Sequence, residues 1–291
     1  MIALTGVTGT LGGRVAARLA ASGAGPLRLV VRDAARAPRL PGAEVAEVPR
    51  GYADGEGLRD ALQGVDTLYL VSAAEAEDRL LQHVMAVTGA AAAGVQRIVY
   101  TSFLAASPDA VFTLARQHYW TEQELADTGV RWTALRHSMY ADFVPFFATP
   151  TPDGAVIAAP ARDGRASFVS RDDLADVAAS VLMDTSTELD GQCVDVTGPE
   201  ALTMAEAASV LGDIIGRPVR YEHQTVEEAW ATRRPSGHPD WEIEGWVTSY
   251  LAIAAGELAP VSDVVPRLTG RPARTVAEHL RGHPEDWAHL R

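Results

Sequence analysis

The sequence predicts an α/β fold: a Rossmann-type, doubly wound parallel sheet followed by a smaller C-terminal α/β lobe. Three observations carry this. Short apolar runs alternate with amphipathic stretches from residue 2 to residue 135. One run, Val65 to Val71, is apolar nearly throughout, as suits a strand covered by helices on both faces. The first run ends in a glycine loop that opens a helix, Thr5-Gly6-Val7-Thr8-Gly9-Thr10-Leu11-Gly12-Gly13.

In chain order, Ile2 to Leu4 is the first strand, and Leu11, Val15 and Leu19 share one face of the helix that follows the loop. Strand, glycine turn, helix is the context of a dinucleotide-binding loop. Gly6 allows a sharp turn, Gly9 lets backbone approach a pyrophosphate, and Gly12 lets the helix pack close to the strand. The pyrophosphate is expected on the unpaired N–H groups of the first helical turn, at the positive end of the helix dipole. The spacing is G-x-x-G-x-x-G rather than G-x-G-x-x-G, and glycines also fill ordinary turns, so the position of the loop gives it weight. Leu27 to Asp33 is the second strand and ends in charge, Arg32 before Asp33. An acid at this point bonds the ribose 2′-hydroxyl of NAD, whereas an arginine suits the 2′-phosphate of NADP. Arg32 therefore favours NADPH, with NADH the second choice, over a solvent-facing charge.

Glu44 to Val48 reads as the third strand, Gly51-Tyr52-Ala53-Asp54 as a loop and Glu56 to Gln63 as a helix. The fourth strand, Val65 to Val71, delivers Ser72-Ala73 to a carboxyl end, where ligands bind in open α/β sheets. A helix from Arg79 to Ala93 stops at Gly94. The fifth strand, Arg97 to Thr101, leads into Ser102-Phe103; a helix spans Val111 to Asp127 and the sixth strand Arg131 to Leu135. After Met139 the pattern breaks at Pro145, Pro150, Pro152, Asp153-Gly154 and Pro160, which reads as turns and short pieces. A helix from Asp172 to Met183 with Ser170 as N-cap, a strand from Gln192 to Val196, and a capping box Thr203-x-x-Glu206 before a helix to Ile214 follow. Val219 to Tyr221 is a short strand, and the remainder is helical pieces bearing Trp230, Trp241 and Trp246. This divides the chain into a nucleotide-binding domain, 1–149, and a smaller lobe, 150–291, with exchange of segments between them allowed.

The 291 residues are 47% hydrophobic and 22% charged, ordinary values for a soluble globular protein. No apolar run approaches a membrane span, and the first run has no basic flank of a leader, so a cytoplasmic protein is expected. The net charge of −13 argues against nucleic acid as a partner. The single cysteine, Cys193, excludes an intrachain disulfide and a Cys-rich zinc site, and no metal is expected. The chain contains no lysine, so no step can use a lysine amine.

Several motifs in order resemble the NmrA-like, atypical branch of the short-chain dehydrogenase/reductase superfamily, in particular its NAD(P)H:quinone oxidoreductase type 2-like subgroup. Thr5 to Gly12 is similar to that family's T-G-A-T-G-x-L-G, and Val31-Arg32-Asp33 to its V-R-N or V-R-D. Gln82-His83, Ala91 to Val95, Tyr100-Thr101-Ser102, His118-x-x-Thr121-Glu122, Thr197 to Glu200 and Gly216 to Val219 resemble further motifs along the whole chain. The resemblance implies a Rossmann domain that holds NADPH through Gly6, Thr8, Gly9, Thr10, Leu11, Gly12 and Arg32, with Ser72, Ala73, Thr101, Ser102, Phe103 and Gln123 along the same cleft. It places a small-molecule substrate, aromatic or quinone-like, beside Phe103, His137, Tyr140 and Phe143, and admits a homodimer. Three positions depart: the family's D-Y-x-D reads Gly51-Tyr52-Ala53-Asp54, the residue after Leu135-Arg136 is His137, and the lysine after T-E is Gln123.

Main-branch members of the superfamily use Ser, Tyr and Lys, with Y-x-x-x-K on a helix. Here Tyr119 and Gln123 are four apart and share a helix face. Gln123 can bond a ribose hydroxyl but cannot bring the positive charge of lysine to the phenol. Ser102 holds the strand-end serine position, and His118 is adjacent in sequence but about 100° around the helix from Tyr119. The catalytic candidates are thus Tyr119, Ser102, Gln123 and His118, with structural roles open for His118 and Tyr119. Two functions follow: an NADPH-dependent oxidoreductase acting on a quinone or similar electrophilic carbonyl, or an inactive NAD(P)-binding sensor of the NmrA type.

Overall fold

The computed structural model describes residues 1–291. In chain order its elements are β1 (Ile2–Leu4), α1 (Thr10–Ser22), β2 (Leu27–Val31), β3 (Glu44–Glu47), α2 (Gly55–Ala61), β4 (Thr67–Leu70), α3 (Arg79–Ala92), β5 (Arg97–Phe103), α4 (Thr113–Asp127) and β6 (Arg131–His137). There follow α5 (Phe143–Phe146), β7 (Ala148–Thr151), β8 (Gly154–Ala159), β9 (Arg165–Ala166), α6 (Arg171–Met183), β10 (Gln192–Val196), β11 (Leu202–Thr203), α7 (Met204–Ile215) and β12 (Val219–His223). The chain ends in α8 (Val226–Arg233), α9 (Asp240–Ala254), α10 (Val264–Thr269) and α11 (Val276–Gly282). No helix is long and apolar enough to cross a membrane.

Two compact units share these elements. Residues 1–103, 117–136 and 174–194 make the first, and 104–116, 137–173 and 195–291 the second.

The first unit is built on a sheet of strand order β10-β6-β5-β4-β1-β2-β3. Pairing from β3 through β2, β1 and β4 to β5 is parallel, with Ile2 opposite both Leu27 and Thr67. The order reverses between β1 and β4, and in such sheets the crevice at the carboxyl ends beside that reversal takes the ligand. The glycine loop leaves β1 there, and Ser72-Ala73 leave β4. The sheet's core is dry: Leu4, Leu29, Leu68, Tyr69, Ile98 and Tyr100 are fully buried. Arg97, buried at the start of β5, donates to the carbonyls of Val181 (3.1 Å) and Asp184 (2.8 Å) at the end of α6, which anchors that helix by its unpaired carbonyls.

The second unit holds a sheet of order β12-β8-β7, where β7 and β8 form an antiparallel hairpin and β12 pairs parallel to β8. The sequence reads this proline-broken stretch as turns and short pieces; in the structure the pieces are the paired strands β7 and β8. Pro150 sits on β7, an edge strand, where the missing N–H interrupts no interior ladder. The capping box of Thr203 and Glu206 forms as expected at the start of α7, and Ser170 Oγ accepts from the Asp172 N–H at 3.2 Å. Trp230 and Trp246 pack on a small buried cluster of Ala229, Ile243 and Val247.

The β8–β12 pairing requires a bare backbone at Gly154, because a Cβ there would stand 1.9 Å from the Pro218 carbonyl oxygen. Gly154→Ala is expected to destabilise the fold by about 1–3 kcal/mol, the usual cost of forcing extra atoms into packed structure. Urea unfolding midpoints test this; a variant as stable as the parent contradicts the close approach.

Candidate active site

The glycine loop owes its shape to two close contacts, one with a side chain and one with backbone. Gly6 has φ +63°, and a Cβ on it would stand 2.8 Å from Val71 Cβ. A Cβ on Gly12 would stand 2.3 Å from the Gly6 carbonyl oxygen, so the first turn of α1 lies directly on the end of β1. Gly9 is different: its nearest neighbour would be the Gly6 oxygen at 3.4 Å, and its outer side is open. Gly9 is also the N-cap of α1, with no side-chain cap and no acid in the first turn. The N–H groups of that turn are thus left for an anion. Thr8 and Thr10 are exposed beside them, whereas Leu11 is buried and anchors the helix.

Thr5 and Tyr52 brace this arrangement. Thr5 Oγ1 accepts from the Val71 N–H at 2.9 Å, and the Tyr52 hydroxyl lies 2.6 Å from Thr5 Oγ1 and 2.5 Å from the Val71 carbonyl. Burial pushes the Tyr52 phenol above its ordinary range, so it stays a neutral donor. At the end of β2, Arg32 is exposed and forms no ion pair or hydrogen bond. Asp33 does not compete for the same role, because its carboxylate caps a 3₁₀ turn through the Ala35 N–H at 2.9 Å.

The segment after β4 is held by three buried side chains. Thr101 Oγ1 accepts from the Ser72 N–H at 2.7 Å, His83 Nε2 accepts from the Ala73 N–H at 2.8 Å, and Arg79 Nε donates to the Ala73 carbonyl at 2.9 Å. These contacts fix the imidazoles. An N–H donated into His83 Nε2 leaves the proton on Nδ1, 2.9 Å from Thr121 Oγ1 and 3.3 Å from the Tyr100 hydroxyl. Arg79 Nη2 can only donate, and it lies 3.0 Å from His118 Nε2. His118 therefore carries its proton on Nδ1, 2.8 Å from the same Tyr100 hydroxyl. Burial first, and the charge of Arg79 second, lower the His83 pKa to about 3, so its acceptor role survives at any working pH.

The catalytic candidates separate on α4. His118 lies on the buried stripe with Leu114, Thr121, Glu122 and Leu125, both ring nitrogens engaged and its ring stacked 6.3 Å from that of Phe103. Tyr119 is partly exposed, with its ring edge-on to Trp120 at 5.1 Å, and Gln123 is exposed; no hydrogen bond joins the two. Ser102 is not paired with Tyr119 either. Its hydroxyl donates to Glu122 Oε1 at 2.6 Å, and Arg136 grips the same carboxylate in bidentate fashion at 2.9 and 2.6 Å. Glu122, Arg136, Arg79, His83 and Tyr100 are the residues to which sequence reasoning gave no role. The signal was that His83, Tyr100, Glu122 and Arg136 fall within ordered motifs; Arg79 carried none.

In the second unit, His137 is buried and its Nδ1 lies 3.4 Å from the Tyr140 hydroxyl. Burial, then the charge of Arg171, lower its pKa to about 3, so the ring is neutral. The Arg171 guanidinium lies 4.4 Å from the Tyr140 ring centre and also pairs with Asp142. From Tyr140 an aromatic row runs through Phe143 (5.3 Å between ring centres) to Phe146 (6.3 Å) and Phe147 (6.0 Å), and Phe146 is 75% exposed.

Comparison with known proteins adds to this geometry. A family described as NAD(P)H-binding matches residues 6–185. NAD(P)H azoreductase of Xenophilus azovorans is 32% identical over 283 residues, 97% of this chain and 98% of its own. A (4-alkanoyl-5-oxo-2,5-dihydrofuran-3-yl)methyl phosphate reductase of Streptomyces griseus is 34% identical over 291 residues, 99% of each chain. The crystal structure of an NADPH-dependent quinone oxidoreductase from Escherichia coli, complexed with NADPH, aligns with a TM-score of 0.86 at 31% identity over 97% of this chain and 99% of that one.

The two neutral histidines predict an acid-side loss of stability. His83 and His137 are lowered to about 3 in the fold from 6.5. Between those values the unfolded chain binds more protons than the native one, so stability is complete above pH 6.5 and falls as pH drops towards 3. Each residue contributes a slope of up to about 1.4 kcal/mol per pH unit. His83→Gln, whose amide oxygen accepts the Ala73 N–H without titrating, is expected to flatten the curve. Urea midpoints of both proteins from pH 4 to 7.5 check this; parallel curves contradict it.

Proposed function

The chain belongs to the NAD(P)H-binding family, in its NmrA-like branch, and we propose that it is an oxidoreductase that takes hydride from NADPH and gives it to a quinone or another conjugated, electron-poor small molecule. The observation that carries this reading is the free charge of Arg32 beside an uncapped α1, with Asp33 turned away onto its own backbone. The α1 amides then hold the pyrophosphate, and Arg32 holds the 2′-phosphate by its planar fork. Thr101, His83 and Arg79 fix the backbone of Ser72 and Ala73 along the cofactor's path. The nicotinamide, when bound, supplies the hydride, and the protein supplies orientation and surroundings.

Proton delivery narrows the acceptor. The chain has no lysine, and Gln123 brings no charge to Tyr119. A simple ketone needs a proton as hydride arrives, because its alkoxide is strongly basic. A quinone needs one far less, since its reduced anion is delocalised. The azo, acyl-dihydrofuranone and quinone groups in the relatives' names share this feature: each places the new charge in a conjugated system. The aromatic row of Tyr140, Phe143 and Phe146 supports a flat acceptor.

Two outcomes are expected. Arg32→Ala weakens NADPH binding by about 1.5–3 kcal/mol, the range for a hydrogen bond to a charged group, and leaves NADH nearly unchanged. Fluorescence titration of both cofactors measures this, and equal losses overturn the phosphate assignment. In steady-state NADPH oxidation, the wild type turns over a quinone and is poor with a simple ketone. Tyr119→Phe costs less than about tenfold with the quinone, below the usual range for general acid catalysis. Robust ketone reduction abolished in Tyr119→Phe contradicts the acceptor argument, and tight NADPH binding without any turnover returns the sensor function.

A further inference from the structure

We infer that His283 is a positioning residue for the acceptor: held between two carboxylates as an imidazolium, it latches the segment Pro284–Leu290 onto the start of α6, and that segment supports the aromatic turn α5. The latch stands on its own geometry, and its effect on the acceptor rests on the functional reading above.

All the groups of the latch belong to the second unit. His283 Nε2 lies 2.8 Å from Asp172 Oδ2, and its Nδ1 lies 3.1 Å from Glu285 Oε1. An ionised carboxylate only accepts, so both ring nitrogens carry a proton and the ring is charged. The ring of His279, on α11, is centred 4.6 Å away. Its Nε2 donates to Asp286 Oδ2 at 3.0 Å, and its Nδ1 lies 3.0 Å from the Ser170 hydroxyl. That hydroxyl accepts from the Asp172 N–H, which leaves its own proton for Nδ1. His279 therefore needs one proton only, and its burial beside a charged ring disfavours a second. The pair carries one positive charge, on His283. The cations around it are engaged with other groups. Arg271 and Arg274 pair with the buried Asp173, Arg171 pairs with Asp142, Arg281 acts on Glu278, and Arg291 lies 4.5 Å from the Trp287 ring centre.

Both sides of the latch reach the aromatic row. On α6, the latched Ser170 and Asp172 flank Arg171, whose guanidinium lies 4.4 Å from the Tyr140 ring centre and 5.4 Å from that of Phe143. On the other side, Pro284–Leu290 forms a 3₁₀ turn in which Trp287 Nε1 donates to the Leu280 carbonyl at 2.9 Å and Leu290 is buried. His289 Nε2 lies 3.1 Å from the Pro145 carbonyl and must donate to it, because a carbonyl only accepts. Pro145 sits in α5 between Phe143 and Phe146. A helix of a single turn does not hold itself, so α5 depends on what packs against it.

Loss of the second proton leaves a neutral ring with one donor for two carboxylates. The latch is thus complete below about pH 6.5, the ordinary imidazole value, and is lost as pH rises through the titration of the latched ring. This sign is opposite to that of His83 and His137.

The test compares wild type, His283→Gln and His283→Arg between pH 6 and 9. Gln stays neutral, whereas Arg stays charged and offers a planar fork to both carboxylates. Amide exchange of residues 285–290 and 143–147, corrected for its intrinsic pH dependence, is followed without cofactor or acceptor. Wild-type protection of both segments is expected to fall about tenfold or more from pH 6 to pH 9, the scale of a hydrogen bond to a charged group. His283→Gln shows the weaker protection at every pH, and His283→Arg keeps its protection at pH 9. In steady-state turnover of 1,4-naphthoquinone at saturating NADPH, KM of His283→Gln at pH 6 rises about threefold or more, with kcat within about twofold, and His283→Arg restores it. NADPH affinity measured by fluorescence stays within about twofold, which reports that the variants are folded. Equal protection in wild type and His283→Gln at pH 6, or wild-type protection that does not change with pH, overturns the latch. A latch that opens without moving KM overturns the positioning role. A wild type that binds NADPH but turns over no quinone overturns the functional reading and the positioning role with it, while the exchange data still decide the latch.

Discussion

The backbone of Gly12 resting on the carbonyl of Gly6 is the contact on which the rest depends. With a Cβ 2.3 Å from that oxygen, no other residue fits without lifting α1 from β1. The contact brings the positive end of a thirteen-residue helix to the reversal in strand order. That helix is capped by Gly9, with no side-chain cap. A side-chain cap at Gly9 would satisfy the same N–H groups that a pyrophosphate needs. On the proposed cofactor reading, helix stability there is given up for the pyrophosphate. Gly6, tight against Val71, ties the loop to the neighbouring strand, and Tyr52 closes the tie from the other side.

The opposite wall of the reversal is stabilised by buried polar groups instead of bare backbone. Ala73 has both its N–H and its carbonyl satisfied by side chains, and His83 works there only as a neutral ring. Burial enforces that neutrality, since a charged imidazole in this site would face Arg79. In a nearly dry position, Arg136 and Ser102 satisfy both oxygens of Glu122; removing one partner would leave a buried polar group unsatisfied. The residues nearest to general acid–base chemistry by type, His118 and Ser102, are thereby engaged in holding structure.

Much of this was legible beforehand, for a physical reason. Glycine spacing, strand-end charge and hydrophobic period are local, and the loop, Arg32 and the alternation of strands and helices follow from them. That Arg32 rather than Asp33 is free was readable as an order of residues, but its cause, the capping of Ala35, needed the backbone. The hairpin of β7 and β8 was hidden because edge strands tolerate the prolines that signal a break. The parallel partner of β8 lies beyond residue 218, and no local pattern announces it. The Ser102–Glu122–Arg136 and His83–Tyr100–His118 networks join residues 14 to 20 positions apart or more on separate elements. Residue type marks each member as polar, and only packing shows that they meet.

Amide hydrogen exchange with and without saturating NADPH tests the central claim most directly, because it reads the loop amides themselves. The account predicts slowed exchange at Thr10, Leu11 and Gly12 and at Ser72 and Ala73, with little change in α8. Saturation with NADPH that leaves exchange across residues 8–13 unchanged would contradict it.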